Sequence, residues 1–63
     1  MDKEDFAITE AMIRYGGSFV HALAIAARHA DEYNLQKIKN TFADYWQNYK
    51  EMSNKINNLK MID

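Results

Sequence analysis

The sequence predicts an all-α fold, a small bundle of three or four helices, and three observations carry that expectation. Leu35, Ile38, Phe42, Tyr45, Tyr49, Met52, Ile56 and Leu59 follow one another at alternating steps of three and four residues. An α-helix places such positions on one narrow face, and a strict seven-residue period favours a left-handed supercoil with a partner. The chain has no proline, and its two glycines, Gly16 and Gly17, are adjacent, so one strong helix interruption stands near the start. Ala22, Ala24, Ala26, Ala27 and Ala30 then crowd into one short run, and alanine is the best helix former.

The first helix is expected over about residues 3–15. Asp2 is its N-cap, and Glu4 and Asp5 lie in the first turn, where the helix dipole favours acid. Phe6, Ala7, Met12 and Ile13 give its apolar side, and Glu10 and Arg14 make an i,i+4 pair in the favourable order. Gly16-Gly17 ends it in a tight reversal, with one glycine expected in the left-handed conformation. Ser18 is the expected N-cap of a second helix over about 18–30. Its inner face reads Phe19, Leu23, Ala26, Ala27 and Ala30, with Val20 and Ala24 adjoining. So many small side chains let a neighbour approach closely, which places this helix at the centre of the bundle, under the C-terminal aromatics.

A sharp corner is expected at Ala30-Asp31, with Asp31 capping a third segment over about 32–60. A break near 41 is left open. The unbroken heptad argues for one helix, whereas Thr41 followed by Asp44 resembles a capping box and argues for two.

Size bounds what this fold can do alone. The 63 residues form a single small domain, 1–63, without cysteine and so without disulfide or thiolate metal site. Such a chain buries only about 60% of its unfolded surface, and oligomerisation is a usual remedy. The distal stripe (Tyr49, Met52, Ile56, Leu59) runs beyond the reach of the first two helices, so the bundle is expected to be completed by self-association as a homodimer. Phe42, Tyr45, Trp46 and Tyr49 put four aromatics in eight residues. Aromatic hot spots recur at interfaces, and the expected partner-binding residues are therefore Trp46, Tyr45, Tyr49, Met52, Ile56 and Leu59. The competing role for Trp46 is to seal the seam against the first two helices.

The run Tyr15-Gly16-Gly17-Ser18-Phe19-Val20, followed by Phe42-Ala43-Asp44-Tyr45-Trp46, resembles short uncharacterised proteins of tailed bacteriophages, over roughly residues 12–52. Proteins of that kind often carry proline at the positions matching Glu32 and Ala43, which would begin helices there; this chain has neither. The resemblance implies a viral source and no activity. With it, the expected function is a protein–protein interaction module, a phage accessory protein that binds and modulates a host protein.

Chemistry is mostly absent from the sequence. His21 and His29 stand eight residues apart, about 80° around a helix, so one ion does not bridge them. No phosphate-cradling glycine pattern occurs, and Ser18 with His21 lacks an orienting carboxylate. No catalytic residue, cofactor or metal is expected, and the chain is read as a non-enzyme. The formal charge is −1, although Lys37, Lys39, Lys50, Lys55 and Lys60 make the second half locally basic. A small nucleic-acid-associated protein is the alternative function, disfavoured by that net charge and by only two arginines, Arg14 and Arg28. The first residues are acidic, unlike a signal peptide, and no apolar run approaches the ~20 residues of a membrane span, so a cytoplasmic location is expected, the host cytoplasm for a phage protein.

Overall fold

The computed structural model describes the backbone of residues 1–62 and the side chains of residues 1–57. Four helices follow in order: α1 (Lys3–Tyr15), α2 (Ser18–His29), α3 (Glu32–Thr41) and α4 (Ala43–Ile62). The all-α bundle expected from the sequence is therefore present, in its four-helix form.

Two carboxylate caps start helices where the sequence puts them. Asp2 accepts from the Asp5 N–H at 2.7 Å, and Asp31 accepts from the Asn34 N–H at 2.8 Å. The corner between α2 and α3 is the pair Ala30 and Asp31, both extended. Between α3 and α4 a single residue leaves helical geometry: Phe42 has φ −112° and ψ 41°. Its N–H still donates to the Ile38 carbonyl at 2.9 Å, and its carbonyl accepts from the Trp46 N–H at 3.0 Å. The chain bends there while both hydrogen-bond ladders stay satisfied, so the heptad spacing survives across a real break. Thr41 is the last residue of α3 and not the cap of α4.

The link between α1 and α2 differs from expectation. Neither glycine has positive φ; Gly16 has φ −82° and Gly17 φ −72°. Gly16 is required by proximity instead. A Cβ on it would lie 2.5 Å from both the Met12 carbonyl oxygen and Val20 Cγ1, whereas one on Gly17 meets open space. Gly17 occupies the N-cap position of α2 with no side-chain bond, and Ser18 is the first helical residue.

α1, not α2, is the central helix. It packs against both α2 and α4, while α3 bridges α2 and α4. The most deeply buried large side chains, Ile8, Thr9 and Met12, all belong to α1. They join Val20, Ala24, Ala27, Leu35 and Trp46 in the core, with Leu23, Ile38, Tyr45 and Tyr49 at its margin. The inner face of α2 is thus Val20, Ala24 and Ala27, rotated from the expected one, and this leaves Phe19 and Ala26 outside.

Candidate interaction surface

Trp46 does not lie on the surface. It is 7% exposed, and its indole N–H donates to Asp5 Oδ1 at 3.0 Å. Asp5 is itself 4% exposed, and Lys39 Nζ meets its other oxygen at 2.9 Å. One carboxylate on α1 therefore ties down α3 and α4 together. Burial by itself would raise the Asp5 carboxyl, but the Lys39 ammonium and the Trp46 N–H outweigh it, and the group lies below its ordinary range. The same contact holds Lys39 above the ordinary lysine value, against the opposing effect of burial. Trp46 seals the seam, the competing role read from the sequence, because its polar tip has a buried acceptor to satisfy and its rings fill the core.

The other expected partner residues are divided. Tyr45, Tyr49, Met52 and Ile56 are half-buried along α4, and the Leu59 side chain lies outside the described residues. Tyr45 belongs to a three-ring cluster. Phe19 on α2 stands with its centroid 5.9 Å from that of Phe42 and 6.0 Å from that of Tyr45, and Phe42 and Tyr45 are 6.2 Å apart. Phe19 remains 56% exposed.

This cluster edges a larger surface without fixed charge. α2 is the most apolar of the four helices, and residues 18–27 contain no Asp, Glu, Lys or Arg. Its outer side presents Ser18, His21, Ala22, Ile25, Ala26 and His29, all exposed, with Ile25 at 38%. Phe19, Ala22 and Ala26 share one side at i, i+3 and i+7, which makes that side continuous with the aromatic cluster. The one fixed charge of α2 is turned away. Arg28 donates through Nε to Thr9 Oγ1 at 3.0 Å, and through one terminal nitrogen to the Phe6 carbonyl at 3.2 Å and Glu10 Oε1 at 3.1 Å. Its guanidinium carbon lies 4.2 Å from the centre of the Phe6 ring. The other helices put charge outside: Glu4 and Arg14 on α1, Glu32 and Lys37 on α3, Asp44, Glu51 and Lys55 on α4. An α-helix of a small domain normally opposes one apolar stripe with a polar face. α2 does not.

Two apolar stripes compete in the sequence for the inside of α2, and the one through Val20, Ala24 and Ala27 packs inward in place of the one through Phe19 and Ala26. The uncharged run from 18 to 27 was the legible signal.

Away from α2, the surface between α1 and α4 is concave. A groove of about 230 Å³ runs between α1 and the distal part of α4, floored by Ala7, Ala11, Ser53 and Ile56 beside Phe6 and Tyr15. That is below the usual ~300–1,000 Å³ of small-molecule sites. Among the described residues no group of three or more His, Asp or Glu is placed to hold a metal ion. Three lysines of the second half have partners among the described residues. Lys39 is paired with Asp5, Lys50 lies 3.5 Å from Glu4, and Lys37 sits over the Tyr33 ring at 4.7 Å. No described helix is long and apolar enough to cross a membrane. No family model, curated protein or solved structure matches this chain.

Proposed function

We propose that this chain is a small, non-enzymatic protein–protein interaction module that works as a homodimer through the outer face of α2. The observation that carries the reading is that uncharged face, edged by the half-exposed Phe19 ring, on a domain whose other helices carry charge outward. Exposed contiguous apolar patches mark association sites. A 12-residue helix is roughly 18 Å long, so the contact is at the small end of stable interfaces and the dimer forms at tens of micromolar protein. The resemblance to short tailed-phage proteins supports an accessory role in the host cytoplasm, with a host protein as the eventual target. Light scattering tests the core of the proposal. The parent is expected near twice 7.4 kDa at tens of micromolar, and Ala22→Arg is expected to be a monomer with unchanged helicity. A parent that stays at 7.4 kDa across that range overturns the homodimer.

A further inference from the structure

α3 and α4 are joined almost as one helix. Phe42 alone stands between them, and helical hydrogen bonds continue on both sides of it, from the Phe42 N–H to the Ile38 carbonyl and from the Trp46 N–H to the Phe42 carbonyl. No glycine or proline occurs from Ser18 onward. The stripe through Leu35, Ile38, Phe42, Tyr45 and Tyr49 keeps its spacing of three and four across the break. One donor shows what the bend displaces. The Tyr45 N–H bonds to Asp44 Oδ1 at 2.9 Å, where a continuous helix would offer it the Thr41 carbonyl.

The contacts that hold the bend lie on α1. Asp5 receives Lys39 from before the break at 2.9 Å and Trp46 from after it at 3.0 Å, and Lys50 of α4 lies 3.5 Å from Glu4. A single helix from Glu32 to Ile62 would be about 46 Å long, beyond the 37 Å longest dimension of the bent chain. The α1–α2 pair is joined to the start of α3 by only Ala30 and Asp31, so straightening carries it off the chain's own α4. The bonds of Lys39 to Asp5 and of Arg28 to Thr9 travel with that part. The contacts of Asp5 with Trp46 and of Glu4 with Lys50 lose their other half. A second straightened chain presents the missing halves, and their fit is the one each bent chain already makes with itself.

We propose that the chain opens at Phe42 into one continuous helix and closes in trans, two copies exchanging parts so that each seats its α4 on the partner's α1. The exchanged dimer repeats the contacts of the bent chain and differs at the bend, so the bend and the protein concentration decide between them. A very short connection of this kind favours exchange. Dilute chains close on themselves, and concentrated chains exchange. The outer face of α2 takes no part, so the exchange does not rest on the homodimer proposed above.

Cross-linking during refolding tests the exchange, because α1 and α4 must part before they can swap. In the cysteine-free chain, Glu4→Cys and Lys50→Cys are introduced together, at two partly exposed side chains within reach of a short bifunctional maleimide. The protein is refolded from denaturant at low micromolar and at millimolar concentration, linked, and separated under denaturing conditions. Dilute refolding is expected to give links within one chain, and concentrated refolding a product of twice 7.4 kDa linked between chains. Links that stay within the chain at both concentrations overturn the exchange. Ala22→Arg lies outside the exchanged contact and is expected to keep the links between chains. Their loss in that variant would assign them to the α2 contact, overturning the exchange and leaving the homodimer standing. Two further variants address the bend. Ala43→Pro fits the first turn of α4 but cannot continue α3, since it lacks the N–H and its ring meets the Lys39 carbonyl. With its helices confirmed by circular dichroism, it is expected to give only links within the chain, and links between chains would overturn the continuous helix. Asp44→Ala removes the acid that favours a helix start at Ala43 and holds the Tyr45 N–H. It is expected to raise the exchange constant on the order of tenfold, because each dimer contains two such bends. An Asp44→Ala chain that exchanges no more than the parent also overturns the continuous helix.

Discussion

The inner side of α1 and the outer side of α2 invert the usual distribution of side chains. α1 buries Asp5 and Thr9, while α2 exposes Phe19 and Ile25. The buried polar groups are the more informative half. Asp5 binds Trp46 of α4 and Lys39 of α3, and Thr9 accepts from Arg28 of α2 while donating its one proton toward the Asp5 and Phe6 carbonyls. Two polar clamps on the central helix thus fix the register of all three others. Apolar packing by itself is non-directional and leaves register loosely specified, whereas buried hydrogen bonds must be made in one geometry. Of the apolar groups left on α2, Phe19 is held only at its edge, against Phe42 and Tyr45 of the same chain, and Ile25 stands outside the core cluster.

Variants that attack the inner side should have the largest effects. Trp46→Ala removes a core side chain and leaves the Asp5 carboxylate short of a donor. A loss of about 3–5 kcal/mol is expected in chemical denaturation, enough to unfold a domain of this size. Lys39→Met should follow, at about 1.5–3 kcal/mol, because it removes the ion that offsets the burial of Asp5. The pH profile carries the same contact. The Asp5 carboxyl is depressed in the folded state, so its contribution is complete above the ordinary value near 3.9 and is lost as pH falls through the folded value. Lys39 is raised, so its contribution is complete below the ordinary value near 10.4 and is lost as pH rises through the folded value. Thermal melts of Lys39→Met across pH should lack the part of the alkaline loss that Lys39 is expected to give the parent.

The adjacent glycines make a smaller contrast. Gly16→Ala pushes a methyl into the Met12 carbonyl and Val20, and should destabilise by about 1–3 kcal/mol. Gly17→Ser places a hydroxyl at an N-cap that has no side-chain bond and open space around it, and should stabilise by up to about 1 kcal/mol. Opposite shifts in melting temperature confirm that steric approach, not left-handed backbone, selects Gly16. Equal shifts would place both glycines in the same role.

How much of this was legible follows from the range of each interaction. Local signals were readable. The caps at Asp2 and Asp31, the Glu10–Arg14 pair at 2.8 Å and the corner at Ala30 all depend on residues within four of one another, whereas the break near 41 stays open in the sequence, and the Thr41 cap that argues for it is not the one formed. The rotational phase of α2 was not, since Phe19, Leu23 and Ala26 make as good an apolar stripe as Val20, Ala24 and Ala27. What decides between them lies on α1: the space above Gly16 that receives Val20, and the Thr9–Glu10 pair that draws Arg28 inward. The buried Asp5 was read as a first-turn acid for the dipole, because nothing local announces a partner 41 residues away. The site on α2 went unread with the phase that exposes it.

The smallest effect on stability is expected where the effect on association is greatest. Ile25 is 38% exposed and stands outside the core cluster, so Ile25→Glu opens no cavity and buries no charge in the single chain. Surface substitutions away from such features usually change stability by no more than about 0.5 kcal/mol. The circular dichroism spectrum and melting temperature of dilute protein should match the parent. In the proposed homodimer residue 25 lies on the contacting face, so the variant carries a carboxylate into that contact. The desolvation of that carboxylate opposes association. Sedimentation at tens of micromolar should find only monomer, at a pH where the parent is dimeric. Loss of stability without loss of association would instead return Ile25 to the core and leave α2 with no free face.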